Sequence, residues 1–371
     1  MGCNVKIVFM VFINTLSGGG AERSLVNLIN AMDNGKYDFT VITMEGGDFI
    51  DKLPNWVKVY QIANLRNRFL NNLYIKVLHN IPYSIAAKIC IRGRYDIEIA
   101  YLEGFPTRII AARKSGAKKI AFVHATVKSG DESMVLYRNT KQCFAEYSRF
   151  DEVCFVSQDA KKAMEKCIGI LQNASVVHNV FDIYHIKECS KEQCEISYKT
   201  AGLKIIAVGS YKWVKGFDRL LHIVKRLESE YEFELWIIGK GPLKEEYETI
   251  IRSDKIKSVK LLDFDKNPYK YIAQADLLVC SSHSEAYSTV AVEALILGVP
   301  VLTTNCSGMA EILDDGKYGL IVDNDEESLY KGFKKILSEK ELYINKKNNA
   351  LSFKEIFSND TAIEEYSKIL D

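Results

Sequence analysis

The sequence predicts an α/β protein with two Rossmann-like domains, and three observations support this fold class. The chain has 371 residues, which exceeds the usual size of a single hydrophobic core. Short apolar, β-branched runs alternate with helical patterns along its length, as in parallel sheets flanked by helices. A polar stretch rich in lysine and glutamate, at 186–200, separates two such sets. We therefore predict two parallel sheets that face each other across a cleft.

Thirteen apolar runs are the candidate strands. In the first half they are Lys6–Ile13, Phe39–Met44, Val57–Ile62, Ile97–Leu102, Lys119–His124, Val153–Val156 and Ser175–His178. In the second half they are Lys204–Val208, Phe233–Ile238, Val259–Leu262, Asp276–Cys280, Val299–Thr303 and Gly319–Val322. Ligands bind beyond the carboxyl ends of the strands in open α/β sheets, so the active site is expected in the cleft.

The domain boundaries follow from this pattern. Residues 1–185 form the predicted first domain, 186–200 the linker, and 201–355 the second domain. Residues 356–371 contain an amphipathic helix at the end of the chain.

Composition is that of a globular protein, with 47% hydrophobic and 26% charged residues. Nine cysteines include no C-x-x-C pair, which predicts reduced, cytosolic thiols and no zinc site. The apolar run 7–13 has no basic leader and is interpreted as a buried strand. No run reaches the roughly 18 apolar residues that cross a bilayer. The expected location is cytoplasmic.

Charge is divided unevenly along the chain. The first 183 residues hold six more basic than acidic residues, and the remainder holds five more acidic than basic residues. Residues 52–95 contain no acidic side chain, and their basic residues interleave with apolar ones. Such a stretch predicts contact with an anionic membrane surface, at the inner face. The alternative is ordinary packed helices with a solvated face. Nucleic acid is not an expected partner, because no basic-aromatic binding motif is present.

Two carboxylates with seven residues between them, Glu285 and Glu293, are the strongest candidate site. Glu285 follows a strand, and Glu293 lies two turns into the helix that begins near Ser288 and Thr289. Free N–H groups at such a helix start bind anions and suit a diphosphate. Glu285 is then placed to bind sugar hydroxyls, and Glu293 to accept hydrogen bonds from ribose hydroxyls. Alone, the pair is equally well explained as two solvated glutamates.

Two glycine-containing loops strengthen this interpretation. Lys215 follows the strand that ends at Gly209, so its ammonium can neutralise charge on a leaving nucleoside diphosphate. Gly18-Gly19-Gly20 follows the first strand, and backbone without side chains allows a phosphate or substrate to approach closely. As a lone loop, these glycines are more typical of a tight turn.

The chain resembles the retaining glycosyltransferases of family 4, which have the GT-B architecture. The resemblance rests on motifs in a fixed order along nearly the whole chain. They are Gly18 to Arg23, Val208-Gly209, Lys215 to Asp218, Ile238-Gly239-Lys240-Gly241-Pro242, Asn267-Pro268-Tyr269, and Glu285 through Pro300.

The resemblance implies roles for further residues. Gly19 and Gly20 would lie beside the donor diphosphate and the acceptor, and His124, at a strand end, near the transferred sugar. Donor-binding positions would be Gly209, Ser210, Lys212, Gly239, Gly241, Tyr287, Ser288, Thr289 and Glu293. It further implies that the last helix crosses back onto the first domain. His283 is a weaker candidate for the pocket.

Two departures from the family pattern stand out. Ser210 replaces an arginine common in relatives, and Lys212 is the candidate substitute for its charge. Glu285-Ala286-Tyr287 stands where relatives commonly have Glu-Gly-Phe. The tyrosine keeps the ring and adds a hydroxyl that can touch sugar or phosphate.

No metal or other cofactor is expected. Asp263-Phe264-Asp265 has the D-x-D form that some glycosyltransferases use for a divalent ion. In this architecture it lies nearer the nucleotide base than the phosphates, and Lys215 and the helix start supply the required charge stabilisation.

The expected function is retaining transfer of a hexose or N-acetylhexosamine from a nucleoside diphosphate sugar, UDP-linked, to a hydroxyl of a lipid-linked saccharide. Surface polysaccharide or capsule synthesis is the expected setting. Two alternatives remain open at this point: a nucleotide-sugar epimerase of the same two-domain plan, and a non-catalytic partner of a sister transferase that binds nucleotide sugar or lipid.

Overall fold

A computed structural model of the chain describes residues 5–11, 19–32, 35–65, 67–126 and 137–371. The chain divides into two compact units, Met1–Phe181 with Asn359–Asp371, and Asp182–Ser358. Each unit has its own parallel sheet, which confirms the predicted fold class of two Rossmann-like domains.

The first unit contains a seven-stranded sheet in the order β3-β2-β1-β4-β5-β6-β7. Its strands are β1 Val5–Val11, β2 Tyr37–Thr43, β3 Lys58–Gln61, β4 Ile97–Ala100, β5 Lys118–Val123, β6 Glu152–Phe155 and β7 Ala174–Val176. Its helices are α1 Gly20–Ala31, α2 Arg68–Asn80, α3 Tyr83–Cys90, α4 Phe105–Ala112, α5 Thr140–Tyr147 and α6 Gln158–Ile168. The last two residues of the predicted first strand, and Gly18, lie outside the described residues.

The second unit contains a six-stranded sheet in the order β10-β9-β8-β11-β12-β13. Its helices are α7 Ile183–Cys189, α8 Phe217–Leu227, α9 Lys244–Ser253, α10 Tyr269–Ile272, α11 Thr289–Ile296, α12 Met309–Leu313, α13 Glu326–Ser338 and α14 Lys340–Ile356. Its strands are β8 Leu203–Val208, β9 Phe233–Gly239, β10 Val259–Asp263, β11 Leu277–Cys280, β12 Val301–Thr304 and β13 Gly319–Val322. Central strands such as β11 are buried along their whole length, which explains their continuous apolar runs.

Polar side chains define several helix starts. The Asn67 carboxamide accepts from the backbone N–H of Phe69 at the start of α2. The Ser157 hydroxyl accepts a hydrogen bond from the backbone N–H of Ala160 at the start of α6. The Asp325 carboxylate caps α13 in the same way. Each cap satisfies an N–H that the helix itself leaves unpaired.

The unit boundary lies before the predicted linker. Residues 183–189, which overlap the start of the predicted 186–200 linker, form α7, and α7 packs on α10 and α11 of the second unit. Ile186 is buried there, and the Asn267 side chain donates to the Cys189 carbonyl at 2.9 Å. A single buried residue, Ile186, anchors this short helix, whose polar composition does not reveal it.

The final helix, α15 Asp360–Leu370, belongs to the first unit. Tyr366 and Leu370 are fully buried in that unit's core, and the Tyr366 ring stacks on Phe122 at a centroid distance of 5.4 Å. The chain therefore returns to its first sheet after completing the second.

Across the described residues, no helix combines the length and apolar content needed to cross a bilayer. The cysteines in this part of the chain are free thiols, and five of them are buried.

Candidate functional site

In the second unit, the candidate site lies where the strand order reverses. Strand β8 pairs with β9 on one side and with β11 on the other, and all these pairs are parallel. The loops that follow β8 and β11 therefore leave the same edge of the sheet side by side. Ligands of open α/β sheets bind at such a switch point.

The side chains of Lys215 and Glu285 meet at this edge. The Lys215 ammonium lies 2.5 Å from Oε1 of Glu285, and the side chains are 25% and 14% exposed. The Ser282 hydroxyl donates to the same oxygen at 2.7 Å. Burial alone lowers the pKa of Lys215, but the charge of Glu285 and its hydrogen bond outweigh burial, so that the pKa is raised. The site thus holds a fixed cation beside a fixed carboxylate.

The turn after Lys215 requires glycine. Gly216 has a φ of +60°, and a Cβ there would approach the Ser281 carbonyl oxygen to 2.2 Å. This contact brings the start of α8 directly against the loop after β11. Gly239 has a similar role, because a Cβ would lie 1.9 Å from the Gly209 carbonyl oxygen. The glycines of the motif thus bring the loops into backbone contact.

Arg219 is a site residue that the sequence did not reveal. Its buried guanidinium donates to the carbonyl oxygens of Ser281, at 2.5 and 2.8 Å, and Ser282, at 2.7 Å, and to the Asn324 carboxamide at 2.9 Å. Desolvation lowers the pKa of this guanidinium. Arg219 fixes the loop that carries Glu285. The only sign of this role in the sequence was an arginine among the apolar residues of α8.

The helix α11 begins at the same edge, with Ser288 at its N-cap and Thr289 as its first residue. The Ser288 side chain forms no capping hydrogen bond there, and N–H groups at a helix start favour an anion. Tyr287, just before it, has a pKa raised by burial and by Glu311. Its phenol stays protonated and acts as a neutral hydrogen-bonding group.

Glu293 occupies a different environment from Glu285. It is 2% exposed, and the Tyr269 hydroxyl donates to its Oε1 at 3.2 Å. The helix α10, which carries Tyr269, therefore orients this carboxylate. The sequence named Tyr269 only as part of a motif.

The remaining donor-site candidates of the second unit lie on its loops. The Ser210 carbonyl accepts from the backbone N–H of Lys212 at 2.8 Å, in a tight turn after β8. Lys212 is exposed, and among the described residues its ammonium forms no ion pair. Gly241 packs against the backbone of Tyr211. Ser210 carries no charge, and Lys212 is the nearest cation in sequence.

The two carboxylates of the D-x-D segment face different lysines. Asp263 pairs with Lys244 at 2.5 Å, and Asp265 with Lys270 at 2.9 Å. Asp265 also accepts from the backbone of Asn267. The described residues contain no group of three His, Cys, Asp or Glu side chains arranged to hold a metal. In this structure, both aspartates pair with lysines.

In the first unit, Gly19 and Gly20 begin α1. A Cβ at Gly19 would lie 1.9 Å from Oε2 of Glu22, so the buried Glu22 carboxylate lies against the bare backbone. Burial raises the pKa of Glu22, and the nearby charge of Glu103 raises it further. The sequence included Glu22 in a motif but gave it no role.

His124 follows β5 and packs on the ring of Tyr101 at a centroid distance of 4.7 Å. Burial lowers its pKa to about 3, so its imidazole is neutral near pH 7. Its Nε2 is buried and has no hydrogen-bond partner among the described residues, which leaves a polar atom that a hydroxyl can satisfy.

Glu103 is a second unpredicted residue in this unit. Its Oε1 accepts from the backbone N–H of Ala125 at 2.5 Å and so fixes the segment after His124. Burial raises the pKa of Glu103. The available signal was an acidic residue three positions after the end of strand β4.

Two family models match the chain. "Glycosyltransferase Family 4" matches residues 18–184, and "Glycosyl transferases group 1" matches residues 195–353. Together they leave out only a few residues between the domains and the two ends of the chain. The matched regions agree closely with the two units.

Several characterised proteins are similar over nearly the whole chain. One is the N-acetylgalactosamine-N,N'-diacetylbacillosaminyl-diphospho-undecaprenol 4-alpha-N-acetylgalactosaminyltransferase of Campylobacter jejuni, 26% identical over 92% of this chain and 93% of that protein. A second is the GalNAc-alpha-(1->4)-GalNAc-alpha-(1->3)-diNAcBac-PP-undecaprenol alpha-1,4-N-acetyl-D-galactosaminyltransferase of the same organism, 25% identical over 99% and 98%.

The crystal structure of Anabaena HepE in complex with UDP-glucose has the same fold, with a TM-score of 0.78 and 19% identity over 99% of both chains. WaaG, a glycosyltransferase involved in lipopolysaccharide biosynthesis, superposes with a TM-score of 0.66 and 17% identity over 98% of this chain and 99% of that one. Family models, relatives and fold agree: the chain belongs to glycosyltransferase family 4 and has the GT-B fold of two Rossmann-like domains.

Proposed function

We propose that this protein transfers a hexose or N-acetylhexosamine from a UDP-sugar to a hydroxyl of a lipid-linked saccharide, with retention at the anomeric carbon. The names of the two Campylobacter relatives, which describe transfer to undecaprenol-linked saccharides, support the acceptor class. The HepE complexes with UDP and UDP-glucose support the donor class.

The ion pair between Lys215 and Glu285 is the observation that carries the proposal. It lies at the switch point of the second sheet, next to the uncapped start of α11. The free N–H groups at the start of α11 would stabilise a bound diphosphate. The Lys215 ammonium would neutralise the negative charge that develops on the diphosphate as the sugar departs. These groups supply charge stabilisation, so we include no metal in the reaction.

The chemistry is a substitution at the anomeric carbon. The bond between that carbon and the diphosphate oxygen breaks, and a bond to the acceptor oxygen forms on the same face. The departing phosphate oxygen takes the acceptor proton. Glu285 holds hydroxyls of the transferred sugar, and Glu293, oriented by Tyr269, accepts from the ribose. Catalysis then depends on positioning and on electrostatic stabilisation.

The first unit supplies part of the acceptor side in this proposal. Its neutral His124 presents an unpartnered nitrogen that can hydrogen-bond a sugar hydroxyl. Bare backbone at Gly19 and Gly20 leaves room for substrate. Glu103 acts indirectly, because it holds the segment that follows His124.

We further propose that α2 and α3 rest on an anionic membrane at the cytoplasmic face. Phe69 is 74% exposed, although burial of such a ring is the usual outcome of folding. The exposed apolar side chains on these helices are Phe69, Leu70, Leu73, Val77, Ile85 and Ile89. The exposed basic side chains nearby are Lys76, Lys88, Arg92 and Arg94. An apolar face with a basic border, without acidic residues, suits anionic headgroups.

A donor panel tests the proposal directly. UDP-, GDP- and ADP-sugars are added to the protein and to its Glu285→Ala and Lys215→Ala variants, and the melting temperature is measured. We expect one UDP-sugar to stabilise the parent protein and neither variant. Stabilisation followed by release of UDP or an epimerised sugar without any acceptor would indicate the epimerase. No stabilisation by any sugar nucleotide would favour a non-catalytic partner.

A further inference from the structure

Trp213 is exposed to an extent that is unusual for tryptophan. Its side chain is 65% exposed, whereas Trp236 is fully buried and Trp56 packs against the core of the first unit. It lies in a short 3-10 turn, Trp213–Lys215, between β8 and α8. Nothing in the fold of the second unit requires a large aromatic ring at this exposed position.

The orientation of the Trp213 ring is fixed. Its indole stacks on the imidazole of His283 with a centroid distance of 4.3 Å and an interplanar angle of 10°. The backbone N–H of His283 donates to the Val214 carbonyl at 2.8 Å, and the Asn324 carboxamide donates to the His283 carbonyl at 2.9 Å. One face of the indole is therefore covered, so its exposed area belongs to the opposite face and the edge.

The two rings lie beside the donor site. Trp213 precedes Lys215 by two residues, and His283 precedes Glu285 by two. Since Lys215 and Glu285 are largely buried while Trp213 is open, the indole lies on the solvent side of the site. A sugar held by Glu285 would occupy the inner position, and the next ring toward solvent would meet Trp213.

The chemistry of the indole face suits a sugar ring. Its π-face is electron-rich, and one face of a pyranose presents C–H groups with partial positive charge. We propose that the open face of Trp213 is a stacking platform for a pyranose ring of the acceptor saccharide. The inference rests on the proposed transferase function and names a specificity-determining contact within it.

Tryptophan fluorescence tests the contact without requiring catalysis. Trp213 is the exposed member of three tryptophans, so acrylamide should quench it preferentially. The probes are methyl glycosides of glucose, galactose, N-acetylglucosamine and N-acetylgalactosamine, added with UDP. We expect at least one glycoside to protect the tryptophan emission from quenching by acrylamide. This protection should be absent in Trp213→Tyr. If anionic vesicles protect the emission from quenching and none of the glycosides does, the proposal is overturned.

Kinetics separate stacking from a structural effect. With the glycoside that protects, Trp213→Ala should raise the acceptor KM about tenfold, the effect of losing one stacked ring. The KM of the UDP-sugar should stay unchanged, and Trp213→Tyr should restore most of the acceptor affinity. If donor stabilisation depends on Lys215, then either a lack of protection by every glycoside or an unchanged acceptor KM in Trp213→Ala overturns this inference alone. Absence of donor stabilisation sinks the proposed function and the inference with it.

Discussion

The Lys215 ammonium and the Glu285 carboxylate, 70 residues apart in sequence, lie 2.5 Å apart. They follow neighbouring parallel strands, β8 and β11. Each is the principal counter-charge of the other in a partly buried site. Removal of one charge therefore affects both stability and donor binding, and the two effects are separable by paired substitutions.

Lys215→Met should lower the transfer rate by about 10²- to 10³-fold, because the charge on the leaving diphosphate loses its cation. It should also cost about 1–3 kcal/mol of unfolding free energy, because Glu285 loses a charged partner. Urea denaturation and single-turnover transfer measure the two quantities. The double variant Lys215→Met/Glu285→Gln should regain stability but not activity. Lys225→Met, which removes the ion pair of a lysine that is 44% exposed, with Glu228 as its partner, is the control. Normal transfer by Lys215→Met would contradict the assigned role.

Glu293→Gln should weaken binding of UDP more than that of 2′,3′-dideoxy-UDP, because only UDP offers ribose hydroxyls to the carboxylate. Tyr269→Phe removes the hydroxyl that orients Glu293 and should cost about 1 kcal/mol of UDP binding. Calorimetric titration with both nucleotides gives the comparison. An equal loss for both nucleotides would assign Glu293 a purely structural role. Tyr198→Phe, which removes a hydroxyl bonded to the Ile205 carbonyl in β8, is the matched control.

Arg219→Ala should destabilise the protein by roughly 2–4 kcal/mol, because charge-assisted bonds to two buried carbonyl groups disappear. The segment 281–288 should also exchange its amide hydrogens faster. Urea denaturation and hydrogen exchange provide the readouts. Arg226→Ala is the control, since Arg226 forms an exposed pair with Glu327 and should change stability by less than about 1 kcal/mol. Unchanged exchange in 281–288 would show that Arg219 does not hold the loop.

His124 should make stability dependent on pH in an acidic window. Its folded pKa is about 3, below the ordinary value of 6.5, so the unfolded chain binds the extra proton between these values. The contribution of the buried, neutral His124 imidazole to the free energy of unfolding is complete above pH 6.5 and is lost as pH falls toward 3. The stability difference between the parent and His124→Gln should shrink by about 1.4 kcal/mol per pH unit in this window. Denaturation from pH 4 to 8 measures it, with His222→Gln, at a half-exposed position, as control. A constant difference would contradict the burial argument.

The double variant Phe69→Ser/Leu73→Ser should bind phosphatidylglycerol vesicles about tenfold or more weakly, because it lacks two exposed apolar side chains on the face of α2. Binding to phosphatidylcholine should be weak throughout, since the basic border then has no anionic partner. Co-sedimentation measures both. Ile170→Ser, at another exposed apolar position of the first unit, should have no effect. Equal loss with Ile170→Ser would argue against a defined membrane face.

The fold class and the positions of the strands could be predicted from the amino-acid sequence. Local periodicity and β-branched runs depend only on neighbouring residues, and each of the thirteen predicted strands has its counterpart in the two sheets. The motif order also led to family 4, and it named both Lys215 and Glu285. The two units divide between Phe181 and Asp182, a few residues before the predicted 186–200 linker. The helix α7 that lies there has too little apolar pattern to be recognised in the sequence.

The contacts between side chains distant in sequence could not be predicted in this way, because they arise from the folded arrangement of the strands and helices. Arg219 reaches Ser281 across 62 residues, Tyr269 reaches Glu293 on another helix, and Trp213 stacks on His283. These contacts depend on the pairing of β8 with β11 and on the way helices pack over that sheet. Periodicity shows that a residue is buried or exposed, but the partner of a buried charge is set by strand order and register, which local sequence patterns do not specify.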